Sequence, residues 1–199
     1  MISSEIDRLI NEISKLPGLG RRSAERIALY LLNNKNHSLV PLLKILEESK
    51  QKIINCETCG NIDTVSPCNL CTNPKRDLHT ICVVEDISDL WTFERIGNYN
   101  GVYHILGGAL SAINGIGTDD LAITKLIDRI NKQKAKEVIL ALSTTIEGQT
   151  TTHVISDKLE SITGIIISRL AQGVPIGGEM HYLDENTLNA AFQSRKKIN

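Results

Sequence analysis

The stretch CETCGNIDTVSPCNLC, residues 56–71, is the one around which the rest of the chain is organised. Cys56 and Cys59 form one Cys-x-x-Cys turn, Cys68 and Cys71 a second. Each turn lets two thiolates converge on one ion, and two turns together complete the tetrahedral sulfur shell of a structural zinc site. Four sulfurs leave no open position for water, which disfavours a catalytic zinc. Gly60 and Pro67, beside the two pairs, suit tight turns. The competing reading is a pair of disulfides or four unrelated thiols.

With 199 residues the chain is long enough to bury a core and to form one or two compact domains. Hydrophobic residues at 41% and charged residues at 23% are ordinary for a globular protein, so composition selects no special class. The start, Met-Ile-Ser-Ser-Glu-Ile-Asp-Arg, has acids where a secretory leader needs a basic region, and no apolar run reaches membrane-spanning length. A cytoplasmic protein with no membrane partner is expected, and a reducing compartment favours metal over disulfides at the cysteines. The net charge of −1 argues against strong nucleic-acid binding by composition alone. The charge is unevenly distributed: residues 1–54 carry +3 and residues 55–199 carry −4. So small a basic excess binds phosphate weakly unless several copies act together.

Upstream of the cysteines, Ile2, Ile6, Leu9, Ile10, Ile13 and Leu16 recur at helical spacing, predicting a helix over 4–15 with Ser3 or Ser4 as N-cap. Ala24, Ile27, Ala28, Leu31 and Leu32 predict a second helix over 21–33, so Leu16-Pro17-Gly18-Leu19-Gly20 is a short turn between two helices. Gly18 and Gly20 let backbone N–H groups approach an anion at the positive end of the second helix. Arg21 and Arg22 occupy its first turn, where the dipole disfavours cations, and a bound phosphate would reverse that penalty. Lys15 and Arg26 extend the same basic face. The plainer alternative is an ordinary helical hairpin with solvated arginines. No base-reading helix is evident, so any contact would be to the backbone. The hairpin resembles the helix-hairpin-helix DNA-binding element. Leu39, Leu42, Leu43, Ile45, Leu46, Ile53 and Ile54 continue the helical pattern and are expected in the core, whereas His37 is expected in a loop.

Downstream, Thr80–Val84 reads as a buried strand running into Glu85 and Asp86, with Cys82 as a small core residue. A helix over 87–96, a strand over 103–106, a helix opening near Thr118, a strand over 137–142, a helix near 151–161 and a strand over 165–168 follow. This alternation predicts a mostly parallel sheet covered on both faces. Asp184 is expected to cap a last helix running to about Arg195, ahead of a basic end at Arg195-Lys196-Lys197.

Chemistry in open parallel sheets gathers at the carboxyl ends of strands. Glu85 with Asp86, and Ser143-Thr144-Thr145-Ile146-Glu147-Gly148-Gln149, fall there. The arrangement resembles the Toprim domain of topoisomerases, primases and old-type nucleases, which pairs a strand-end Glu with an Asp-x-Asp-x-Glu-Gly-Glu motif. Ser143 and Thr145 stand at the two aspartate positions. Hydroxyls supply no charge to replace carboxylates on Mg²⁺, so strand cutting is not expected. Glu85 and Glu147 are left either as a weak Mg²⁺ site, as a partner-docking acidic patch with Asp86, or as solvated strand-end acids.

Taken in order, the hairpin, the four cysteines and the eroded Toprim motif are joined by Leu106-Gly107-Gly108-Ala109-Leu110-Ser111 and by the stretch from Arg169 to Gly178, RLAQGVPIGG. Over essentially the whole chain this resembles the bacterial RecR family of recombination mediators. The resemblance implies a non-enzymatic protein that binds single- and double-stranded DNA as a homo-oligomeric, tetrameric ring and works with RecO and RecF type partners in loading RecA at single-stranded gaps. It further implies DNA contact by Arg22 and Arg26 and a partner-facing surface at Glu85, Asp86 and Glu147. The chain departs from the family's usual Asn-Pro-Thr-Val-Glu-Gly-Glu in ending that motif with Gln149. The expected architecture is a multi-domain α+β and α/β protein. A helix-hairpin-helix module over 1–54 precedes a four-cysteine zinc finger over 55–72, a Toprim-like parallel α/β domain over 79–174 and a short C-terminal helical segment over 175–199. The alternatives are a Toprim-class metal-dependent nuclease or primase, and a zinc-stabilised scaffold without DNA contact.

Overall fold

A computed structural model describes residues 3–195, which divide between Ile53 and Ile54 into two compact units. Ile2 and the basic pair Lys196-Lys197 lie outside the described residues.

The first unit is helical. α1 (Ser4–Ser14) starts at Ser3, whose hydroxyl accepts the Ile6 N–H at 3.4 Å. α2 (Arg21–Asn33) starts at Gly20, and α3 (Val40–Lys52) follows a short π-helical turn over Lys35–Leu39 that holds His37, where a loop was expected. Ile10 packs on Ala24 and Ala28, with Ile6, Leu9 and Ile13 around them. Two alanines at i and i+4 present a flat face that lets α1 lie close. The expectation that α3 is core fails. Leu42, Leu43, Ile45 and Leu46 are 43–58% exposed, and Ile53 and Ile54 are also exposed. Helical periodicity records which face is apolar, not whether anything in the same chain covers it.

The second unit opens with a two-stranded antiparallel ribbon, β1 (Ile54–Asn55) against β2 (Ile62–Asp63), followed by the single turn α4 (Asn69–Thr72). Then come β3 (Asp77–Val84), α5 (Ile87–Ile96), β4 (Gly101–Ile105), α6 (Ile123–Gln133), β5 (Glu137–Leu140), α7 (Ile146–Glu160) and β6 (Ile166–Arg169). The four longer strands form one parallel sheet in the order β4-β3-β5-β6. Successive side chains of β3 alternate between its faces. Ile81 and Val83 join Leu126 and Ile130 of α6 and Ile155 and Leu159 of α7. Cys82 and Val84 join Leu90 of α5, with Tyr103 and Ile105 of β4. The sheet is thus covered on both faces, as the alternation of elements predicted.

Two helix starts differ from expectation. α6 begins at Ile123 and not near Thr118, because the Asp120 carboxylate accepts the Gly117 N–H at 2.8 Å and closes a turn. α7 begins at Ile146 and not near Thr151, because Thr145 caps it by accepting the Gly148 N–H at 3.1 Å. After β6 come a short 3-10 turn (Met180–Tyr182) and α8 (Glu185–Gln193), capped by Asp184 through the Thr187 N–H at 3.0 Å. Among the described residues no helix is long and apolar enough to cross a membrane.

Candidate nucleic-acid interface and metal centre

The turn between α1 and α2 follows from its residues. Pro17 presets one dihedral and Gly18 adopts φ +78°, the left-handed conformation that Gly tolerates, so that the Leu19 N–H reaches the Leu16 carbonyl at 3.1 Å. Gly20, the N-cap of α2, has no side-chain acceptor for the first helical amides. Around this uncapped end the four basic residues have different surroundings. Lys15 pairs with Glu12 at 2.7 Å. Arg21 reaches back to α1, donating to Asp7 Oδ1 and Asn11 Oδ1 at 2.7 Å each. Asp7 thereby offsets the dipole penalty that a cation in this turn would otherwise carry. Arg22 and Arg26, one turn apart and both exposed, have no acidic partner among the described residues. Sequence spacing did not reveal the clamp, since Asp7 and Arg21 lie on different helices.

The four cysteines converge. Their Sγ atoms all lie within 4.8 Å of one another, with Cys59 to Cys68 at 3.5 Å and Cys56 to Cys71 at 4.0 Å. A Zn–S bond of about 2.3 Å in a tetrahedron sets the sulfurs about 3.8 Å apart, whereas a disulfide needs about 2 Å. All four are free cysteines. The donor set and spacing therefore fit a closed metal site. Backbone amides support it, with Cys68 N–H donating to Cys56 Sγ at 3.3 Å and Asn61 N–H to Cys59 Sγ at 3.5 Å. Burial pushes the Cys56 thiol up, but the amides of Cys68, Cys59 and Thr58 outweigh it and hold that thiol at about 7. The hydrogen bond with Cys71, with burial, raises Cys59, and burial pushes Cys68 up to about 11. A bound cation would displace the remaining protons. Gly60 seats the site on the sheet: it adopts φ +82°, and a Cβ there would lie 3.2 Å from Ile105 Cβ. Next to it, the Ile105 N–H donates to the Cys59 carbonyl at 2.8 Å.

At the strand ends the acids are engaged locally. Glu85 Oε1 accepts the Ser143 N–H at 2.7 Å. Asp86 caps α5 through Ser88 and Asp89, and the Ser88 hydroxyl, with those two amides, holds its carboxyl below the usual range. Ser143 and Thr145 share a hydroxyl hydrogen bond of 2.9 Å. The residues at the two aspartate positions are thus one cap and its support, and Gly148 is required beside them, since a Cβ would lie 2.3 Å from the Ser143 carbonyl oxygen. Glu147 sits in the first turn of α7, half-buried. Among the described residues the cysteines are the one group of three or more potential ligands that comes together. Sequence reading missed Arg129, which lies against Cys71; its signal was a basic residue three positions after Leu126, on the apolar stripe of α6.

Comparison with known proteins covers most of the chain. Residues 6–50 match the family described as RecR, helix-hairpin-helix, residues 79–171 the Toprim domain, and residues 173–196 the family described as RecR, C-terminal. The chain is 53% identical over 194 residues to the recombination protein RecR of Hyphomonas neptunium, spanning 98% of this chain and 96% of that protein. It is 53% identical over 191 residues to that of Mesorhizobium japonicum, spanning 96% and 94%, and 50% identical over 194 residues to that of Rhizobium meliloti, spanning 98% and 96%.

Proposed function

Because this chain belongs to the RecR family of recombination proteins, we propose that it is a non-enzymatic mediator of DNA recombination and repair that grips DNA through the α1–α2 turn. The observation that carries this reading is the pair Arg22 and Arg26, exposed and, among the described residues, without an acidic partner, beside an uncapped helix start. Lys15, Gly18, Gly20 and Arg21 complete the surface, Arg21 mainly by bracing it. Contact of this kind neutralises phosphates, reads no sequence and serves single and double strands alike.

One hairpin is a weak ligand, and the exposed leucines of α3 give a reason for assembly: an apolar helix face of this kind is a common place for a second copy to bind. A tetrameric ring of hairpins raises effective concentration without new contacts. Residues 1–54 then serve DNA, residues 55–72 hold a structural zinc, and residues 79–174 with the segment 175–199 serve assembly and partners. Glu85, Asp86 and Glu147 form the acidic surface for RecO and RecF type proteins, in the cytoplasm, on the way to RecA loading. Metal-dependent strand cutting is the less favoured reading, since Glu85 is tied to Ser143 and Asp86 to the start of α5.

Arg22→Glu tests the proposal. In a mobility-shift titration at low salt the variant should lose DNA binding while keeping its zinc and the oligomeric mass that light scattering gives for wild type. Binding at wild-type strength by this variant would remove the hairpin as the DNA surface.

A further inference from the structure

Arg129 is a charged residue on the otherwise apolar face of α6, 6% exposed and flanked by the buried Leu126 and Ile130. Among the described residues no carboxylate pairs with it. Its guanidinium instead spans three groups. Nη1 donates to the Tyr103 carbonyl of β4, Nε to Gln133 Oε1 at 3.1 Å, and Nη2 to Cys71 Sγ at 3.7 Å. A buried cation is costly unless a negative charge faces it. Four thiolates around a divalent ion supply that charge, because the complex is a dianion. Cys71 is also the half-buried member of the four, the other three being buried. It opens on a cleft of about 540 Å³ lined by Glu57, Thr58, Lys125, Arg129 and Lys132 among others. The sulfur that solvent reaches is therefore the one that Arg129 holds.

We propose that Arg129 is the positioning residue and counter-cation of the metal centre: it clamps Cys71 from the sheet side, so that metal retention depends on α6 and loss of metal begins at Cys71. This rests on the zinc reading of the four cysteines. The planar fork accounts for the residue type, since one guanidinium reaches both a carbonyl and a sulfur while a lysine ammonium is a single point charge. Groups in this position orient a ligand and set how firmly the ion is held.

The test compares wild type, Arg129→Lys, Arg129→Met and Ile127→Ala, each purified with zinc. Zinc per chain is measured first, then the rate of zinc capture by the chelator 4-(2-pyridylazo)resorcinol. Arg129→Met should release zinc roughly ten- to hundredfold faster than wild type. Arg129→Lys should fall between them, because it keeps the charge and loses the fork. Ile127→Ala loosens the same helix without touching the guanidinium and should release near the wild-type rate. Equal rates in wild type and both Arg129 variants would overturn the proposal, as would an Ile127→Ala rate equal to that of Arg129→Met. Iodoacetamide labelling of wild type during partial chelation, read by peptide mass, should mark Cys71 before Cys56, Cys59 and Cys68, and a different first site would also overturn it. If Arg129→Met does not fold, the lysine variant and the labelling order decide. A wild type that binds no zinc would sink the zinc reading itself, a separate outcome.

Discussion

Ile10, Ala24 and Ala28 are the buried apolar centre of the helical unit, whereas one face of the sheet alone gathers Ile81, Val83, Val102, Leu126, Ile130, Val138, Ile155 and Leu159. Two of the three residues in the first set are alanines, which bring helices close but remove little apolar area from water. Ordering the backbone costs about 1–2 kcal/mol per residue in either unit. The sheet meets that cost from its own chain. The helical unit meets it poorly, and it leaves Leu42, Leu43, Ile45 and Leu46 in solvent. The difference teaches that the sheet buries its apolar residues within its own unit, whereas the helical unit leaves a whole apolar face of α3 uncovered.

Core truncation is the strongest way to break this comparison. Leu126→Ala, at a position with no exposure, should cost about 3–5 kcal/mol, and Ile10→Ala, which packs on two small alanines and on the partly buried Ile6, Leu9 and Ile13, about 2–3 kcal/mol. Trp91, the single tryptophan, lies in α5 of the second unit and reports on the sheet by fluorescence. In urea, Leu126→Ala should shift the Trp91 transition and Ile10→Ala should leave it in place, the loss appearing as faster amide exchange in α1 and α2. A Trp91 midpoint that moves equally for both would mean the units unfold as one.

The two units also differed in how far they could be read from sequence. The bounds of α2 and the convergence of four cysteines were legible, because spacing alone determines them. The fate of α3 was not, since an apolar stripe reads alike whether it meets its own core or another chain. Thr118-Asp119-Asp120 looked like a helix start because acids favour one, yet the Gly117 amide captures Asp120 into a turn. Arg21 with Asp7, and Arg129 with Cys71, join residues distant in sequence, and no local pattern encodes such pairs. Glu85, Asp86, Ser143 and Thr145 were legible as strand-end polar residues, but not as the caps and tethers they form.

Acid sharpens the comparison from the sheet side. His104 of β4 is 2% exposed, and its ring contacts the Ala122 carbonyl through Nε2 at 2.9 Å. Burial lowers its pKa from 6.5 to about 4 in the folded chain. Between those values the unfolded chain binds more protons, so stability is fully present above about pH 6.5 and falls as pH drops toward 4, by roughly 3 kcal/mol. His104→Gln removes the titrating ring and should flatten the dependence of the Trp91 transition on pH in that window. Comparing slopes cancels what the cysteine thiols contribute to both proteins. Parallel slopes would show that the ring is solvated and titrates as in the unfolded chain.

The smallest expected effect separates bracing from binding within the hairpin. Arg21 and Asp7 are 63% and 41% exposed at the side chain, so solvent screens their 2.7 Å contact and leaves about 0.2–1 kcal/mol. A double-mutant cycle over Arg21→Ala and Asp7→Ala, followed by amide exchange in α1, should return a coupling energy in that range that shrinks as salt rises. Arg22→Ala, with no acidic partner to lose among the described residues, should change stability by no more than about 0.5 kcal/mol. In DNA titrations the order should invert, with Arg22→Ala weakening binding more than Arg21→Ala. A zero coupling energy together with equal losses of DNA affinity would show that Arg21 faces DNA as Arg22 does. The hairpin would then hold its shape by the apolar packing around Ile10, Ala24 and Ala28 and not by the Arg21–Asp7 contact.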